Sequence, residues 1–440
     1  LTLIRTESHN YEEIALDYIH AGLYDEAVAI LQLCIDKAQP SPMAFYYQGW
    51  ALSLAGKTAD ANSVFEIASK QNPDCCFPNR LEAILALQCA INSNPNDGYA
   101  PYYLGNLWYD KQQFADAINC WEASAAINPD FPTVLRNLSL AAFNKQHDSP
   151  KAVTLLEKAF TLEESDARIL MELDQLYKRL NHPHAERLAF LEKHADLVKM
   201  RDDLYLEYAT LHNQTGKYES AKALIDARRF HPWEGGEGKA PAQYQTARLE
   251  LAKIALDKKE FQTAEALLAE CFEYPHNLGE GKLPGAQEND FNYFLGCTYE
   301  GMNQPEKARA CYESAAVGIS EPAAAIYYND QKPDKIFYQG LALLKLGRKE
   351  EARSRFNKLI SYGEKHLFDQ VKIDYFAVSL PDLLIWDDDF THRNVIHCHY
   401  MMGLGYLGLG NADKAKQHLQ KAFALDNNHQ GVQAHLAMIY

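Results

Sequence analysis

Two decapeptides carry the residue types of a phosphate site. Pro232 to Pro241 reads PWEGGEGKAP and Pro275 to Pro284 reads PHNLGEGKLP, so a P-x-x-x-G-E-G-K-x-P pattern occurs twice, 43 residues apart. A phosphate-binding loop uses Gly-Lys to bring backbone N–H groups and an ammonium to one anion. It also needs a glycine five positions earlier and a Ser or Thr hydroxyl afterwards for magnesium. Here Lys239 is followed by Ala240 and Lys282 by Leu283, and neither Gly238 nor Gly281 has the earlier glycine. Nucleotide chemistry is therefore excluded for these loops. They read as structural arms, with glycines that permit positive φ, with Pro241 or Pro284 starting or preceding a helix, and with Glu237 and Glu280 pairing a neighbouring lysine. If the arms form a recognition edge, Trp233, Glu237, Lys239, Glu280 and Lys282 are what it offers.

A second cluster, Asp387, Asp388, Asp389, His392, His397 and His399, has metal-ligand residue types. His-x-His on a helix points its rings to different faces, which opposes chelation by one ion. The aspartates read as a solvated helix start or loop. No Ser-His-Asp or Cys-His arrangement can be assembled from spacing, and paired carboxylates in an acidic chain carry no information. No catalytic residue, metal or cofactor is assigned.

The chain has 440 residues, a net charge of −16, 47% hydrophobic and 23% charged residues. That composition belongs to a folded chain, and the negative field opposes nucleic acid and anionic membrane as partners. No apolar run reaches membrane-spanning length. The nine cysteines lack C-x-x-C spacing, which predicts buried thiols in a reduced, cytoplasmic setting. The chain opens LTLIRTESHNYEEI, without methionine, and reads as part of a longer polypeptide.

What positions these residues is a repeat. Between Met43 and Pro73, residues Gly49, Leu52, Gly56, Ala61, Phe65, Ala68 and Pro73 fall at the spacing of a 34-residue helix-turn-helix unit. The pattern returns with Gly105, Trp108, Phe114, Ala117, Trp121 and Pro129, then with Gly296, Tyr299, Ala308 and Tyr312. It returns again with Gly340, Gly347, Ala352 and Phe356, and with Gly403, Tyr406, Gly410, Ala415 and Ala422. Small residues on the first helix let the second pass close, aromatics fill the space towards the next unit, and proline ends the second helix. One unit cannot bury its apolar face alone, so the units must stack. This pattern closely resembles the tetratricopeptide repeat. With weaker units at Ala15, Ala83, Leu173, Ala209 and Ala252, the resemblance covers nearly the whole chain in about eleven units. It implies an all-α fold, a right-handed α-solenoid with long loops between repeats. The unit around Ala83 reads as a second helix with a shortened first helix.

The expected organisation is a single solenoid over 1–440. Residues 1–96 hold the first repeats, 97–230 the middle ones, and 231–366 those with GEGK-type loops. An inserted segment follows at 367–394, then a terminal repeat and capping helix at 395–440. A smaller extension spans Glu321 to Asp334. The stretches HPWEGGEGK, NLGEGKLPGAQEND, YYNDQKPDKIFYQGLA and DYFAVSLPDLLIWDDD resemble the C-terminal repeat region of large bacterial proteins. In that family a domain of unknown function, similar to aldose-epimerase β-sandwiches, precedes the repeats. The resemblance implies a setting in carbohydrate metabolism, not an activity of this chain.

In such a repeat the first helices line a concave face. By register that face carries Tyr46, Tyr47, Trp50, Tyr99, Tyr102, Tyr103, Asn106, Tyr109, Arg136 and Asn137, then Tyr293, Phe294, Phe337, Tyr338 and Tyr400. Tyr and Trp supply contact area at low entropic cost. Asn106 and Asn137 match two positions of a carboxylate clamp, but Tyr102 replaces the clamp's lysine. The expected function is a non-catalytic scaffold for a protein or peptide, including an N-terminal β-sandwich of the same polypeptide. The alternative is a carbohydrate-associated module that contacts a glycan or completes a sugar-active site. Leu436, Met438 and Ile439 would offer an apolar face for a homodimer.

Overall fold

A computed structural model of the chain describes residues 7–38, 40–233, 235–324, 330–372 and 385–439. Among them every regular element is helical. Contacts group the chain into two compact units, 1–169 and 170–440.

The first unit holds α1 (Ser8–His20), α2 (Tyr24–Lys37), α3 (Pro42–Leu54), α4 (Thr58–Ala68), α5 (Glu82–Ser93), α6 (Tyr99–Asp110), α7 (Phe114–Ile127), α8 (Pro132–Asn144) and α9 (Ser149–Leu162). The division falls inside α10 (Ala167–Arg179). The second unit continues with α11 (His184–Lys193), α12 (Ala195–Val198), α13 (Asp202–Gln214), α14 (Tyr218–Ala227), α15 (Lys239–Asp257), α16 (Phe261–Cys271), α17 (Asn289–Gly301) and α18 (Pro305–Ala315). It ends with α19 (Pro333–Lys345), α20 (Lys349–His366), α21 (Phe390–Gly408), α22 (Ala412–Leu425) and α23 (Gln430–Leu436).

The helices pair as hairpins, and the turn of each hairpin contains one residue in left-handed backbone. Glycine supplies it at Gly22, Gly56, Gly216, Gly347 and Gly410; Gln112, His147, Asn181, Lys259 and Asn303 adopt it elsewhere. These ten turns place ten complete hairpins among the described residues, where the repeat pattern suggested about eleven units. The difference lies at α5. No helix covers residues 69–81, so α5 stands as a single helix without the shortened partner that the pattern suggested.

Inside the hairpins one contact recurs. A Cβ added at Gly49 would lie 2.5 Å from the Phe65 ring, at Gly105 2.5 Å from Trp121, at Gly296 2.5 Å from Tyr312, and at Gly340 2.3 Å from Phe356. Gly403 meets Leu419 in the same way, at 2.6 Å. The first helix thus gives up a side chain where the large residue of the second helix lies across it. This interlock is what the repeat spacing encodes.

The second unit has a feature no repeat requires. The residues between α22 and α23 reach back to its first helices. Asn181 donates to the Leu425 carbonyl at 3.0 Å, and the Asn427 N–H donates to Asn181 Oδ1 at 3.1 Å. Arg187 Nη1 donates to Asn428 Oδ1 at 2.9 Å, and Gln214 donates to the Asn428 carbonyl at 2.8 Å. The amides of Gln243 and Gln430 exchange hydrogen bonds at 2.8 and 3.0 Å. The end of the unit is therefore fastened onto α10, α11, α13 and α15. Arg187, 1% exposed, anchors this clasp by also bridging Asp174 (3.0 and 2.8 Å) and Glu207 (2.8 Å).

Candidate functional site

The aromatic set assigned to the first helices divides by burial. In the first unit Tyr46, Tyr47, Trp50, Tyr102 and Tyr103 are buried. The Tyr46 hydroxyl donates to Asp97 Oδ2 at 2.9 Å, and Asp97, 1% exposed, also receives the N–H groups of Tyr99 and Ala100. Tyr46 meets Tyr103 edge to face at 5.8 Å, and Tyr102 meets Phe131 at 4.8 Å. These rings hold helices together and present no free face to a partner. Successive helical positions turn by about 100°, so Tyr102 packs on Phe131 and Tyr103 on Tyr46, although the two rings stay 5.3 Å apart.

What remains open is a polar strip. Tyr99, Asn106, Tyr109 and Arg136 are half-buried. Asn106 Oδ1 accepts from Trp121 Nε1 at 3.0 Å and from Asn137 Nδ2 at 3.1 Å, while Arg136 donates to Asn137 Oδ1 at 3.1 Å. Asn106, Asn137 and Arg136 are thus joined across α6 and α8. Asn137 thus gives one of its amide hydrogens to Asn106 Oδ1, a hydrogen that a carboxylate clamp would turn to its ligand. Tyr99 packs on Phe131 and Tyr109 on Trp121 at either end of the strip.

The two GEGK loops of the second unit do meet, though not through their lysines. Glu280 accepts the Gly238 N–H at 2.8 Å, and the Phe230 N–H donates to the Asn277 carbonyl at 2.7 Å. Gly238 has φ 72°, and a Cβ at Gly279 would lie 2.6 Å from the Phe230 carbonyl, so glycine is required at both places. Lys282 pairs with Glu288 and donates to the Phe272 carbonyl at 2.8 Å. Lys239 begins α15 and is exposed, as is Glu237. Glu280 therefore bonds main chain and not the lysine expected from the sequence. Trp233 folds over Gly236 of its own loop.

The Asp-His cluster splits as its spacing required. Asp389 caps α21 by accepting the His392 N–H at 3.0 Å. Asp388 is not solvated: it pairs with Arg179 at 2.7 Å and with Arg393 at 3.1 Å. Beside it Trp386 is 2% exposed and donates to the Glu172 carbonyl at 3.1 Å, so the end of the inserted segment is docked on α10. Residues 373–384 of that segment, and 325–329 of the smaller extension, lie outside the described residues. His399 faces His418, with Nδ1 atoms 3.0 Å apart, while His397 Nε2 faces the Ala323 carbonyl at 2.8 Å. Among the described residues no group of three or more His, Cys, Asp or Glu is placed to hold a metal ion. Leu436 and Ile439 pack against the unit's own core, which leaves Met438 (40% exposed) as the outward apolar residue at that end.

Tyr338 and Tyr400, from the aromatic set, line a cavity of about 490 Å³ within the second unit. Tyr293, Phe294 and Phe337 pack in the core beside it, with Tyr293 5.6 Å from Tyr338. The cavity also takes in Asp290, Lys332, Asp334, Lys335, His397, His429 and His435. Lys335 Nζ lies 2.5 Å from Asp290 Oδ1 and 3.8 Å from Asp334. Burial pushes the imidazoles of His397 and His435 down to about 4, so both rings are neutral near pH 7. Sequence reasoning missed His429, His435 and the lysines. The one local signal was the extension from Glu321 to Asp334, which contains Lys332 and immediately precedes Lys335.

Comparison with known proteins agrees with the repeat reading. Residues 290–316 and 396–429, and residues 43–74 and 336–362, match two models described as tetratricopeptide repeat. A MamA structure from Desulfovibrio magneticus RS-1 is similar at 20% identity, over 45% of this chain and 99% of that one, with a TM-score of 0.26. The P58(IPK) TPR domain is similar at 13% identity over 98% and 97%, with a TM-score of 0.23. A structure of Naa15/Naa10 bound to HypK-THB matches at 12% identity over 98% of this chain and 65% of that one, with a TM-score of 0.34. No described helix is long and apolar enough to cross a membrane.

Proposed function

We propose that this chain is a non-catalytic scaffold that binds a protein or peptide partner through the first helices of its first unit. The observation that carries the reading is the hydrogen-bonded strip of Asn106, Asn137 and Arg136, bounded by half-buried Tyr99 and Tyr109. One match to the tetratricopeptide model, over residues 43–74, lies in the same unit as this face and supports a repeat frame for it. Arg and Tyr are the residues most often found at the energetic centres of protein interfaces. An Arg held by an asparagine is preorganised, so less side-chain freedom is lost when a partner docks.

In the family context noted from the sequence, the partner is a β-sandwich domain that precedes the repeats in the same polypeptide. The scaffold works in the cytoplasm, and its nine free cysteines support that placement. The test is quantitative capture from lysate of the source organism, with the 440-residue chain and with the variant Tyr99→Ala/Arg136→Ala. The half-buried positions make the variant fold normally, which circular dichroism checks. The reading expects retention of a defined partner to fall at least about tenfold in the variant. Equal retention by both chains contradicts it.

A further inference from the structure

We propose that the cavity of the second unit binds a small organic acid that also carries hydroxyl or ammonium donors. This site is separate from the strip on α6 and α8, and neither depends on the other. Its volume, about 490 Å³, lies in the range of small-molecule sites. Its wall is built from five helices, α15, α17, α19, α21 and α23, and from the clasped segment between α22 and α23, so it exists only because the unit fastens onto itself.

Three imidazoles in that wall have their tautomers fixed by main-chain groups. His397 Nε2 meets the Ala323 carbonyl at 2.8 Å, so Nε2 carries the proton and Nδ1 keeps a lone pair. His435 Nδ1 meets the Gly431 carbonyl at 2.6 Å, so its Nε2 is an acceptor. His435 is 3% exposed, and that Nε2 has no hydrogen-bond partner among the described residues. An unmet buried acceptor is costly, and a donor that reaches it offsets the cost. His429 is held the other way. Its Nδ1 accepts the Val432 N–H at 3.1 Å, so in the neutral ring Nε2–H is a donor.

Glu250, Arg393 and Asp426 also line the cavity, and the charged groups of α17 and the start of α19 divide along the same lines. Lys332 is tethered through its backbone N–H to Gln287 Oε1 at 3.1 Å, and its ammonium has no ion-pair partner among the described residues. Lys335, by contrast, is committed to Asp290 and Asp334. One side of the cavity chemistry, Lys332 with His429 Nε2–H, suits a carboxylate. The other, Asp334 with the His397 and His435 lone pairs, suits donors. A carboxylate alone leaves the acceptors unmet, and a neutral polyol leaves the ammonium unmet. A hydroxy acid or an amino acid meets both.

Isothermal titration of the 440-residue chain decides the matter. The hydroxy-acid arm uses D-glycerate and D-gluconate, and the amino-acid arm uses L-serine and L-glutamine. Acetate and glycerol each carry only one of the two features. The proposal expects at least one of the four acids to bind with Kd below about 1 mM, and acetate and glycerol to bind at least about tenfold more weakly. Lys332 is exposed, so Lys332→Met is expected to keep the thermal midpoint of the free chain and to weaken the same acid by about tenfold. The proposal is overturned if none of the four acids reaches about 1 mM, if acetate or glycerol binds as well as the acid, or if Lys332→Met binds unchanged.

Discussion

At the scale of single residues, the glycines of five first helices are positions that leave no room for a side chain. Phe356 shows why: it is 1% exposed and lies against both Gly340 and Gly408, where an added Cβ would come within 2.3 and 2.2 Å of its ring. The ring sits in a filled core and cannot retreat. Gly340→Ala is therefore expected to destabilise the second unit by about 1–3 kcal/mol despite alanine's better helix propensity. Denaturant melts measure this, and a neutral or stabilising result shows that the ring has room to move. The spacing of these glycines was legible in the sequence, but the contact was not: the aromatics were assigned to the space towards the next unit, whereas Phe65, Trp121, Tyr312 and Phe356 lie across the glycine of their own hairpin. The buried tyrosines were misplaced for a related reason. The register says which helix lines a face, but two adjacent positions such as Tyr46 and Tyr47 differ by a third of a turn, and neither was separable from the other by type.

At the scale of elements, α21 and α23 carry histidines that cannot easily accept a proton. Burial, the largest cause, lowers His397, His399 and His435 to about 4, and neighbouring His with Arg393, Lys421 and Lys253 respectively adds to it. Their ordinary value is near 6.5, so between about pH 6.5 and 4 the unfolded chain binds protons that the folded chain refuses. The stability these rings contribute is present above pH 6.5 and is lost as pH falls towards 4. A shift of this size is worth on the order of 3 kcal/mol for a ring as buried as His435. Thermal midpoints of the second unit are expected to fall steadily from pH 7 to pH 4.5, and His435→Phe, which removes one of the three sites, is expected to make the decline shallower. A midpoint independent of pH across that window rules the mechanism out. None of this was legible beforehand. His-x-His spacing predicted two faces, and it did so correctly, but the depth of each ring depends on packing partners that lie far along the chain.

The clasp belongs to the same scale. Asn428 receives Arg187 at 2.9 Å and donates to the Lys178 carbonyl at 3.0 Å. Asn428→Ala leaves a guanidinium short of one acceptor in a buried network, and is expected to cost about 1–3 kcal/mol. Urea melts test it, with no loss as the contrary result. Asn427 and Asn428 follow a helix end in an ordinary turn, and nothing local marks them as reaching residues almost 250 positions earlier. Asp388 was misread for the same reason: its partner Arg179 lies in another helix, and three consecutive aspartates look solvated until that helix is in place.

At the scale of the whole molecule, repeats supply the frame in both units, and the departures from the period decide what each unit offers. The first unit has one departure, α5, and keeps an open polar strip on consecutive first helices. The second holds the long insertions, and its terminal segment folds onto its own first helices around a cavity. Counting against the period of 34 residues placed the long insertions but not the extra short helix α12. What each departure contacts required the fold. On this reading partners dock on α6 and α8 of the first unit. Hydrogen–deuterium exchange of the 440-residue chain, alone and with the captured partner, tests it most directly. The account predicts added protection across Tyr99–Asp110 and Pro132–Asn144; partner-induced protection that leaves both helices unchanged contradicts it.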